Sequence, residues 1–286
     1  MANLKEIRNR ISSVSSTMQI TSAMKMVSAA KLKKAQDAIT AMRPYADKLT
    51  ELLQSLSATL DADSGSKFST QREVKKVLIV AITSNRGLCG AFNSNIIKEV
   101  IRLTKETYTN QEVSYLAIGK KTNDAFKKTG KITANHSTVF DDLTFDNVAE
   151  IAQSIMDKFV EGEFDKVELV YNRFKNAATQ IVTTEQFLPI VPVEGASNTN
   201  ADYIFEPSKV EIVEQLIPKS LKTQLYKAVR DSFASEHGAR MTAMHKATDN
   251  ATELRDQLKL TYNKARQAAI TNEILEIVGG AEALNN

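Results

Sequence analysis

The first sixty residues decide the fold of this 286-residue chain, and residues 7–60 read IRNRISSVSSTMQITSAMKMVSAAKLKKAQDAITAMRPYADKLTELLQSLSATL. Residues 1–60 contain no glycine and one proline, Pro44, so almost nothing in them would stop a helix. Apolar residues recur at alternating steps of four and three, which is the pattern of a coiled-coil face. That face comprises Ile7, Ile11, Val14, Met18, Leu32, Ala35, Ile39, Met42, Ala46, Leu49, Leu53, Leu56 and Leu60. A helix of this length would extend over roughly 90 Å, and its heptads predict a partner helix.

The same heptad count passes through three polar positions, Thr21, Lys25 and Ser28, between its two apolar stretches. We expect this part of the helix to be poorly suited to self-pairing. Pro44 removes one backbone donor, so the helix is expected to kink or tighten there without ending.

The C-terminal segment is the natural partner of this helix, because residues 239–278 contain neither glycine nor proline. Pro207, Ser208 and Glu211 predict a helix start with a capping box, and Pro218 predicts an early break. Beyond it, apolar residues again recur at three- and four-residue steps: Leu221, Leu225, Ala228 or Val229, Ala247, Ala251, Leu254, Leu258 and Ala265. The sequence therefore predicts an antiparallel coiled coil within one chain, with residues 267–278 continuing as a single helix.

The residues between the two long helices have the pattern of an open α/β sheet. Strands are expected at 74–82, 112–118, 131–133, 167–171 and 179–187, and helices at 93–107, 120–128 and 145–159. Asp146 is a plausible cap of the last helix, and the final two strands are too close in sequence to be parallel. The predicted fold class is α/β, combining the antiparallel coiled coil with a Rossmann-like sheet domain. The expected boundaries are a helix at 1–60, a linker at 61–73, the sheet domain at 74–195, a loop at 196–207 and a helix at 208–286.

Composition and charge exclude several classes of protein. The 37 basic and 34 acidic residues give a net charge of only +3. No apolar run approaches the ~20 residues of a membrane span, and we expect neither a secretory signal nor a transit peptide. Cys89 is the single cysteine, which excludes an internal disulfide and is typical of a reducing compartment. We therefore expect a cytoplasmic protein that associates with membranes through its partners.

No catalytic, cofactor or metal motif can be assembled from the sequence. Gly87 and Gly90 follow the first strand, but they match neither the dinucleotide fingerprint nor a P-loop, and a tight turn explains them. Cys89 has Arg86 nearby but no evident base, so a packed thiol is the better interpretation. The three histidines are His136, His237 and His245, without acidic or cysteine groups that complete a ligand set. The sequence predicts no active site, no cofactor and no metal.

The basic N-terminal helix supports an alternative function. Residues 1–43 hold eight Lys or Arg against Glu6 and Asp37, a local charge of 8 − 2 = +6. Such a helix could bind nucleic-acid phosphates or an anionic membrane surface. However, the first aromatic residue is Tyr45, so side chains for base stacking are absent. Nucleic-acid binding is therefore the second hypothesis, beside a solvated helix face that meets acidic partner proteins.

Three blocks of the chain resemble a known family. They are LKEIRNRISSVSSTMQITSAMKMVSAAKLKKAQ at 4–36, SNRGLCGAFNSNI at 84–96 and ASEHGARMTAMHKATDNATELRDQLKLTYNKARQAAITNEILEIVGGAEAL at 234–284. In order and spacing they resemble the gamma subunit of bacterial F-type ATP synthase. The resemblance spans essentially the whole chain, and its architecture agrees with the one predicted from spacing and glycine placement.

This resemblance implies a mechanical function without catalysis. In the family, the subunit is the central-stalk rotor, one copy of which occupies the axis of a ring of three alpha and three beta subunits. Its foot binds the epsilon subunit and the membrane c ring, and nucleotide chemistry belongs to the alpha and beta subunits. The resemblance therefore implies ATP synthesis coupled to proton transport, no nucleic-acid partner, and a peripheral position on the cytoplasmic face of the bacterial plasma membrane.

The family's motifs also imply partner-binding residues. By position in ITSAMKMV and GARM, Met24, Lys25 and Arg240 would face beta subunits. Gln267 and Thr271, in ARQAAIT, would meet the ring nearer its far end. Tyr203, in DYIFEP, would lie near the c ring. The alternative for each is ordinary coiled-coil packing or solvent exposure.

Overall fold

The computed structural model describes residues 4–57, 67–128, 130–190 and 209–284, and these form five α-helices and five β-strands. The helices are α1 (Leu4–Ser57), α2 (Phe92–Arg102), α3 (Lys120–Phe126), α4 (Phe145–Val160) and α5 (Lys209–Leu284). The strands are β1 (Lys76–Ile82), β2 (Glu112–Ile118), β3 (Lys131–Asn135), β4 (Lys166–Phe174) and β5 (Gln180–Leu188). A π-helical turn, Leu103–Thr107, extends α2, and a 3₁₀ turn, Ser137–Phe140, follows β3.

The five strands form one sheet in the order β3-β2-β1-β4-β5. Strands β1, β2, β3 and β4 are parallel to one another, and β5 is antiparallel to β4. This order is that of a doubly wound nucleotide-binding fold, with a switch in winding direction between β1 and β4. The Rossmann-like sheet and its antiparallel edge are therefore confirmed.

Both faces of the sheet are covered, which explains the continuous apolar run in β1. Leu78, Val80 and Ile82 pack on the face that carries α4 and the first part of α5. Val77 and Ile79 pack on the opposite face, against α2 and Phe126 of α3. All these strand residues have no exposed surface, as expected of a parallel strand buried on both sides.

The strand and helix positions follow the sequence pattern closely, with one wrong cap. The strand predicted at 112–118 has those bounds as β2, and the other predicted strands lie within or overlap the observed ones. Asp146 does not cap α4. Thr144 does, because its hydroxyl accepts a hydrogen bond from the backbone N–H of Asn147 at 3.4 Å. Asp146 lies in the first turn instead, where its carboxylate interacts favourably with the positive end of the helix dipole.

The chain divides into two compact units. The helical unit is Met1–Ser28 with Met241–Asn286, and the sheet unit is Ala29–Arg240. Both α1 and α5 contribute residues to each unit. The predicted domain boundaries stay a prediction, since residues 61–66 of the expected linker and all of the expected loop at 196–207 lie outside the described residues.

In the helical unit the two helices pair antiparallel. Arg8 donates a hydrogen bond to the Tyr262 hydroxyl at 2.7 Å, and further along α1 the Met18 sulfur accepts one from Arg255 at 3.4 Å. The sequence positions rise on one helix as they fall on the other, which confirms the intramolecular antiparallel pair.

Two of the polar residues in the heptad pattern, Thr21 and Ser28, are buried in this helix pair and form hydrogen bonds. Thr21 is buried, and its hydroxyl lies 2.8 Å from that of Thr248 on α5. Ser28, also buried, donates to the backbone carbonyl of Met24 at 2.8 Å. In the contact with α5, hydroxyl hydrogen bonds satisfy these buried polar atoms. The expectation that this stretch is poorly suited to self-pairing stays a prediction.

Two expectations for α5 are wrong. Pro218 lies inside α5 and does not break it. The flanking residues Ile217 and Leu221 are buried in the core of the sheet unit, and this packing holds the helix together across the proline. Leu254, predicted on the pairing face, is 41% exposed, while the neighbouring Arg255 reaches α1.

The capping box at Ser208 lies outside the described residues. Pro44 is within α1 and does not end it, as predicted. Among the described residues, none of the helices is both long and apolar enough to cross a membrane.

Candidate partner-binding surfaces

The C-terminal part of α5 carries apolar side chains that no described residue covers. Residues 271–281 are all exposed. The exposed apolar side chains of this part of the helical unit are Leu260, Ile270, Ile274, Leu275, Ile277 and Val278. Leu275 and Ile277 are 63% and 67% exposed. Large exposed apolar side chains grouped on one element are typical of a protein–protein interface.

Gln267 and Thr271 lie within the same stretch. Both are exposed, and the Thr271 hydroxyl donates to the backbone carbonyl of Gln267 at 2.9 Å. The Gln267 amide has no described partner in the chain. It can therefore donate to or accept from another molecule.

The other end of the helical unit presents a second surface, on α1. Ile20, Met26 and Val27 are exposed by 57% to 65%. Met24 and Lys25 are half-buried beside them. The basic group of Lys25 therefore lies among apolar side chains on this surface.

Lys25 lies close to polar groups of α5. Its Nζ is 3.5 Å from His245 Nδ1, which in turn lies 3.3 Å from the carboxylate of Asp249. All three side chains remain partly or fully accessible. The arrangement places one cation, one imidazole and one carboxylate together at the surface of the helix pair.

In the sheet unit, α5 fills the place where doubly wound folds bind nucleotides. Such folds bind ligands beyond the carboxyl ends of the strands at the winding switch, here β1 and β4. The Ser235 hydroxyl donates to the backbone carbonyl of Asn172 in β4 at 2.9 Å. Arg240 donates to the carbonyls of Arg86 and Gly87, in the turn after β1, both at 3.3 Å. A nucleotide in this crevice would have to displace the helix.

Arg240 is buried, only 7% exposed, and is paired within its own helix. Its guanidinium donates to the carboxylate of Glu236, one turn earlier, at 2.5 Å. Burial raises the pKa of Glu236, and the positive charge of Arg240 opposes that rise. The guanidinium also supplies donors to the turn after β1, so this one side chain joins α5 to the sheet.

His237 lies between these groups and is buried as a neutral imidazole. Burial, with the positive charges of Arg240 and Lys31, lowers its pKa to about 3. Neither ring nitrogen has a hydrogen-bond partner among the described residues, and the ring packs edge-on against Phe233 at 4.5 Å. The imidazole therefore acts as a packing group and carries no charge at neutral pH.

The turn after β1 is held by its own polar network. Ser84 accepts a hydrogen bond from the Asn93 amide at 2.9 Å, and the same amide lies 3.1 Å from the Cys89 sulfur. Cys89 is buried against Phe92 and Ala239, and burial raises the pKa of its thiol. The interpretation of Cys89 as a packed thiol is confirmed by this burial.

Among the described residues, no group of three or more histidine, cysteine, aspartate or glutamate side chains is placed to hold a metal ion.

Comparisons with known proteins agree with this architecture. The family model described as ATP synthase matches residues 3–284. The ATP synthase gamma chain of Flavobacterium psychrophilum is 76% identical over 285 residues, covering 99% of this chain and 99% of the relative. The chain belongs to the ATP synthase gamma chain family. The resemblance found in the three sequence blocks is therefore confirmed.

Solved structures show the same fold as this gamma chain family member. The central stalk and c-ring structure of the Tetrahymena thermophila mitochondrial ATP synthase has a chain that is 27% identical, with a TM-score of 0.57. That match covers 80% of this chain and 99% of the other. A rotor chain of the Euglena gracilis mitochondrial ATP synthase is 23% identical, with a TM-score of 0.65, covering 93% and 98% of the two chains.

Set beside this gamma chain fold, the predicted contact residues fall into three groups. Met24, Lys25, Gln267 and Thr271 lie in the helical unit with accessible side chains. Arg240 lies buried in the sheet unit, and Tyr203 lies outside the described residues. Their contacts with partner subunits stay predictions.

Glu236 and Asn172 also belong to the junction between α5 and the sheet, and neither was predicted from the sequence. The signal for Glu236 was its position four residues before Arg240, the spacing of a helical ion pair. No local signal could have found Asn172, because its contact with Ser235 spans 63 residues of sequence.

Proposed function

We propose that this gamma chain is the central-stalk rotor of a bacterial F-type ATP synthase. It couples rotation of the membrane c ring to conformational changes of the catalytic beta subunits, and it has no active site of its own. One copy serves three alpha and three beta subunits. Its other partners are the epsilon subunit and the c ring.

The observation that carries this proposal is the exposed apolar end of α5 beyond the paired part of the helical unit. Leu275 and Ile277 leave most of their surface in water, which is unfavourable by ~25 cal/mol per Å² of apolar area relative to burial. The ring of alpha and beta subunits would cover these side chains, which no described residue of the chain covers.

Torque transfer follows from differential binding. A shaft can bias a beta subunit toward one conformation only by the difference in its contact free energy with the available conformations. The two helices present different side chains in different directions. Each orientation therefore favours a different set of open and closed catalytic sites.

The side chains proposed to make these contacts are Met24, Lys25 and Arg240 toward beta subunits, and Gln267 and Thr271 nearer the far end of the shaft. Tyr203 is proposed to lie near the c ring. The flexible thioether of Met24 suits a surface that meets successive partners. For Arg240, a contact with beta would require its guanidinium to divide its donors between Glu236, the turn after β1 and the partner.

We also infer that the protein lies on the cytoplasmic face of the plasma membrane and is attached there through the c ring. This position follows from the expected bacterial complex, in which the catalytic ring faces the cytoplasm.

Reconstitution tests the proposal. Purified alpha and beta subunits of the same organism are mixed with and without the full chain, and assembly and steady-state ATP hydrolysis are measured. We expect a complex with one copy of this chain per three beta subunits and faster hydrolysis than without it.

A chain that neither joins the ring nor changes its turnover would contradict the rotor function. The same preparation would then be tested for retention on DNA or RNA. Retention that weakens steeply with salt would support the alternative based on the basic N-terminal residues.

A further inference from the structure

A cavity of about 550 Å³ lies within the sheet unit, apart from the surfaces described above. It is bounded by α1, the β4–β5 hairpin and α5. Its apolar walls come from Ile39, Met42, Ala46, Phe174 and Ile181. The volume is in the range of small-molecule binding sites.

Three cations surround this apolar space. Arg173 and Lys175 come from the end of β4 and the hairpin turn, and Lys227 comes from α5. All three are exposed, and none forms an ion pair with a carboxylate among the described side chains. Asp231 is the one acidic residue among the described lining residues, and it is buried with an interaction partner of its own. The described side chains that line the cavity therefore carry a net charge of 3 − 1 = +2.

The walls of the cavity that come from α5 and the β4–β5 hairpin are held together by contacts between these two elements. Ser235 on α5 donates to the carbonyl of Asn172 on β4, at a fully buried position. Close by, Gly238 lets the hairpin approach the helix, since a Cβ there would lie 3.2 Å from Ala177 Cα. The turn itself is closed by Asn176, whose side chain accepts from the backbone N–H of Thr179 at 2.7 Å. A site held in this way loses little conformational entropy when it binds a ligand.

We propose that this cavity binds a small anionic amphiphile, with its apolar body against Ile39, Ala46 and Ile181 and its acidic head among Arg173, Lys175 and Lys227. The head is a carboxylate or a phosphate monoester, and the body is a single short alkyl chain. This proposal goes beyond the rotor function and does not depend on it. Charge complementarity selects the anion, and the apolar walls select against small inorganic anions.

Calorimetric titration of the full chain tests both parts of the ligand. The probes are octanoate and octyl phosphate, each below its micelle-forming concentration, with acetate and 1-octanol as head-only and body-only controls. We expect one site per chain for the two amphiphiles. Acetate and 1-octanol are expected to bind weaker by roughly tenfold or more, because each lacks one half of the interaction. A preference between octanoate and octyl phosphate identifies the head group.

Two kinds of variant locate the site. Arg173→Gln with Lys227→Gln removes two cations from exposed positions and is expected to weaken amphiphile binding by roughly tenfold or more. Lys98→Gln with Lys105→Gln removes two exposed lysines that do not line the cavity, and it is expected to leave binding unchanged. Ala46→Met fills part of the cavity and should abolish binding of octanoate.

The proposal is overturned if neither amphiphile binds, or if 1-octanol binds as tightly as octanoate. It is equally overturned if Arg173→Gln with Lys227→Gln binds like the unmodified chain. Because these two substitutions replace exposed side chains, the variant is expected to fold even if Ala46→Met does not.

Discussion

The buried ion pair of Glu236 and Arg240 lies where α5 contacts the sheet, and the contact is made by the Arg240 side chain. Both side chains are about one-tenth exposed, and the guanidinium also serves two backbone carbonyls of the turn after β1. Removing one member of a buried pair leaves the other charge without compensation, at a cost of ~3–5 kcal/mol. The pair is therefore more sensitive to single substitutions than any exposed ion pair of the chain.

We expect Arg240→Met to lower the free energy of unfolding by ~3 kcal/mol or more, measured by urea denaturation of the full chain. The double variant Glu236→Gln with Arg240→Met should recover part of that loss, because the buried carboxylate is then neutral.

Arg102→Met is the matched control, since Arg102 pairs with Glu99 at 2.6 Å on an exposed helix face. It is expected to change stability little. Equal effects of Arg240→Met and Arg102→Met would show that the buried pair has no special role.

The buried imidazole of His237 predicts a pH dependence. Its pKa is about 3 in the fold, compared with an ordinary value of 6.5, so between these values the unfolded chain binds one proton more than the folded chain. The stabilising effect of the neutral imidazole is complete above pH 6.5. It is lost by ~1.4 kcal/mol per pH unit as the pH falls toward 3.

His237→Leu removes this titration. Between pH 7 and pH 5, the variant should therefore gain about 2 kcal/mol of unfolding free energy relative to the unmodified chain. Phe233→Leu, which loosens the same packing but keeps the imidazole, should retain the original pH dependence. If His237→Leu and the unmodified chain have parallel pH profiles, the imidazole titrates alike in the folded and unfolded chain.

Among the helices, α5 offers a test of packing against helix propensity. Replacing a helical glycine by alanine normally stabilises a helix by about 1 kcal/mol. At Gly238 an added Cβ would press on the β4–β5 hairpin, 3.2 Å from Ala177 Cα and 3.3 Å from its carbonyl oxygen. Overpacking of this kind costs ~1–3 kcal/mol, so we expect Gly238→Ala to lower the free energy of unfolding by about 1 kcal/mol.

Gly279→Ala is the control within the same helix, because nothing lies within 4 Å of its added Cβ. It should slow hydrogen exchange of the amides around residue 279 by strengthening the local helix. A stabilising effect of Gly238→Ala would mean that the hairpin moves aside freely.

The strands of the sheet could be predicted from the sequence because a strand that is buried on both faces has a near-continuous run of apolar residues. The strand predicted at 74–82 from its near-continuous apolar run is observed as β1, Lys76–Ile82, and its apolar residues are fully buried. The prediction that Pro218 breaks the helix is wrong because a proline destabilises a helix locally, whereas the burial that stabilises this helix involves residues distant in sequence. A proline within a helix costs ~3 kcal/mol, whereas fully burying two side chains such as Ile217 and Leu221 contributes ~1.5–3 kcal/mol each.

Contacts between distant elements were predictable only where a pattern repeats. The pairing of α1 with α5 is predicted by the heptads, but the exposure of Leu254 is not. The heptad positions drift around a straight helix by ~20° per heptad, so a residue counted on the pairing face can lie beside it. The junction of Arg240 with the turn after β1 spans more than 150 residues of sequence and leaves no periodic signal.

At the scale of the whole molecule, substitutions at the exposed end of α5 should weaken assembly with partner subunits without changing the stability of the isolated chain. We expect Leu275→Gln with Ile277→Gln to change the unfolding free energy of the isolated chain by no more than ~0.5 kcal/mol, since both side chains are exposed. The same variant should bind the ring of alpha and beta subunits more weakly, as measured by assembly and ATP hydrolysis in reconstitution.

Glu273→Gln with Glu276→Gln changes two exposed residues of the same stretch without altering its apolar area, and it controls for nonspecific effects. Assembly of the Leu275 and Ile277 variant at the normal affinity would exclude these side chains from the interface.

The segment of α5 that fills the crevice between β1 and β4 behaves as a tethered ligand. A ligand carried on the same chain has a fixed effective concentration, which dilution of the protein does not alter. A free nucleotide would have to compete with Ser235 and Arg240 for the same backbone carbonyls and strand ends. This crevice should therefore be insensitive to the nucleotide levels of the cell, even though the fold is one that elsewhere senses and binds nucleotides.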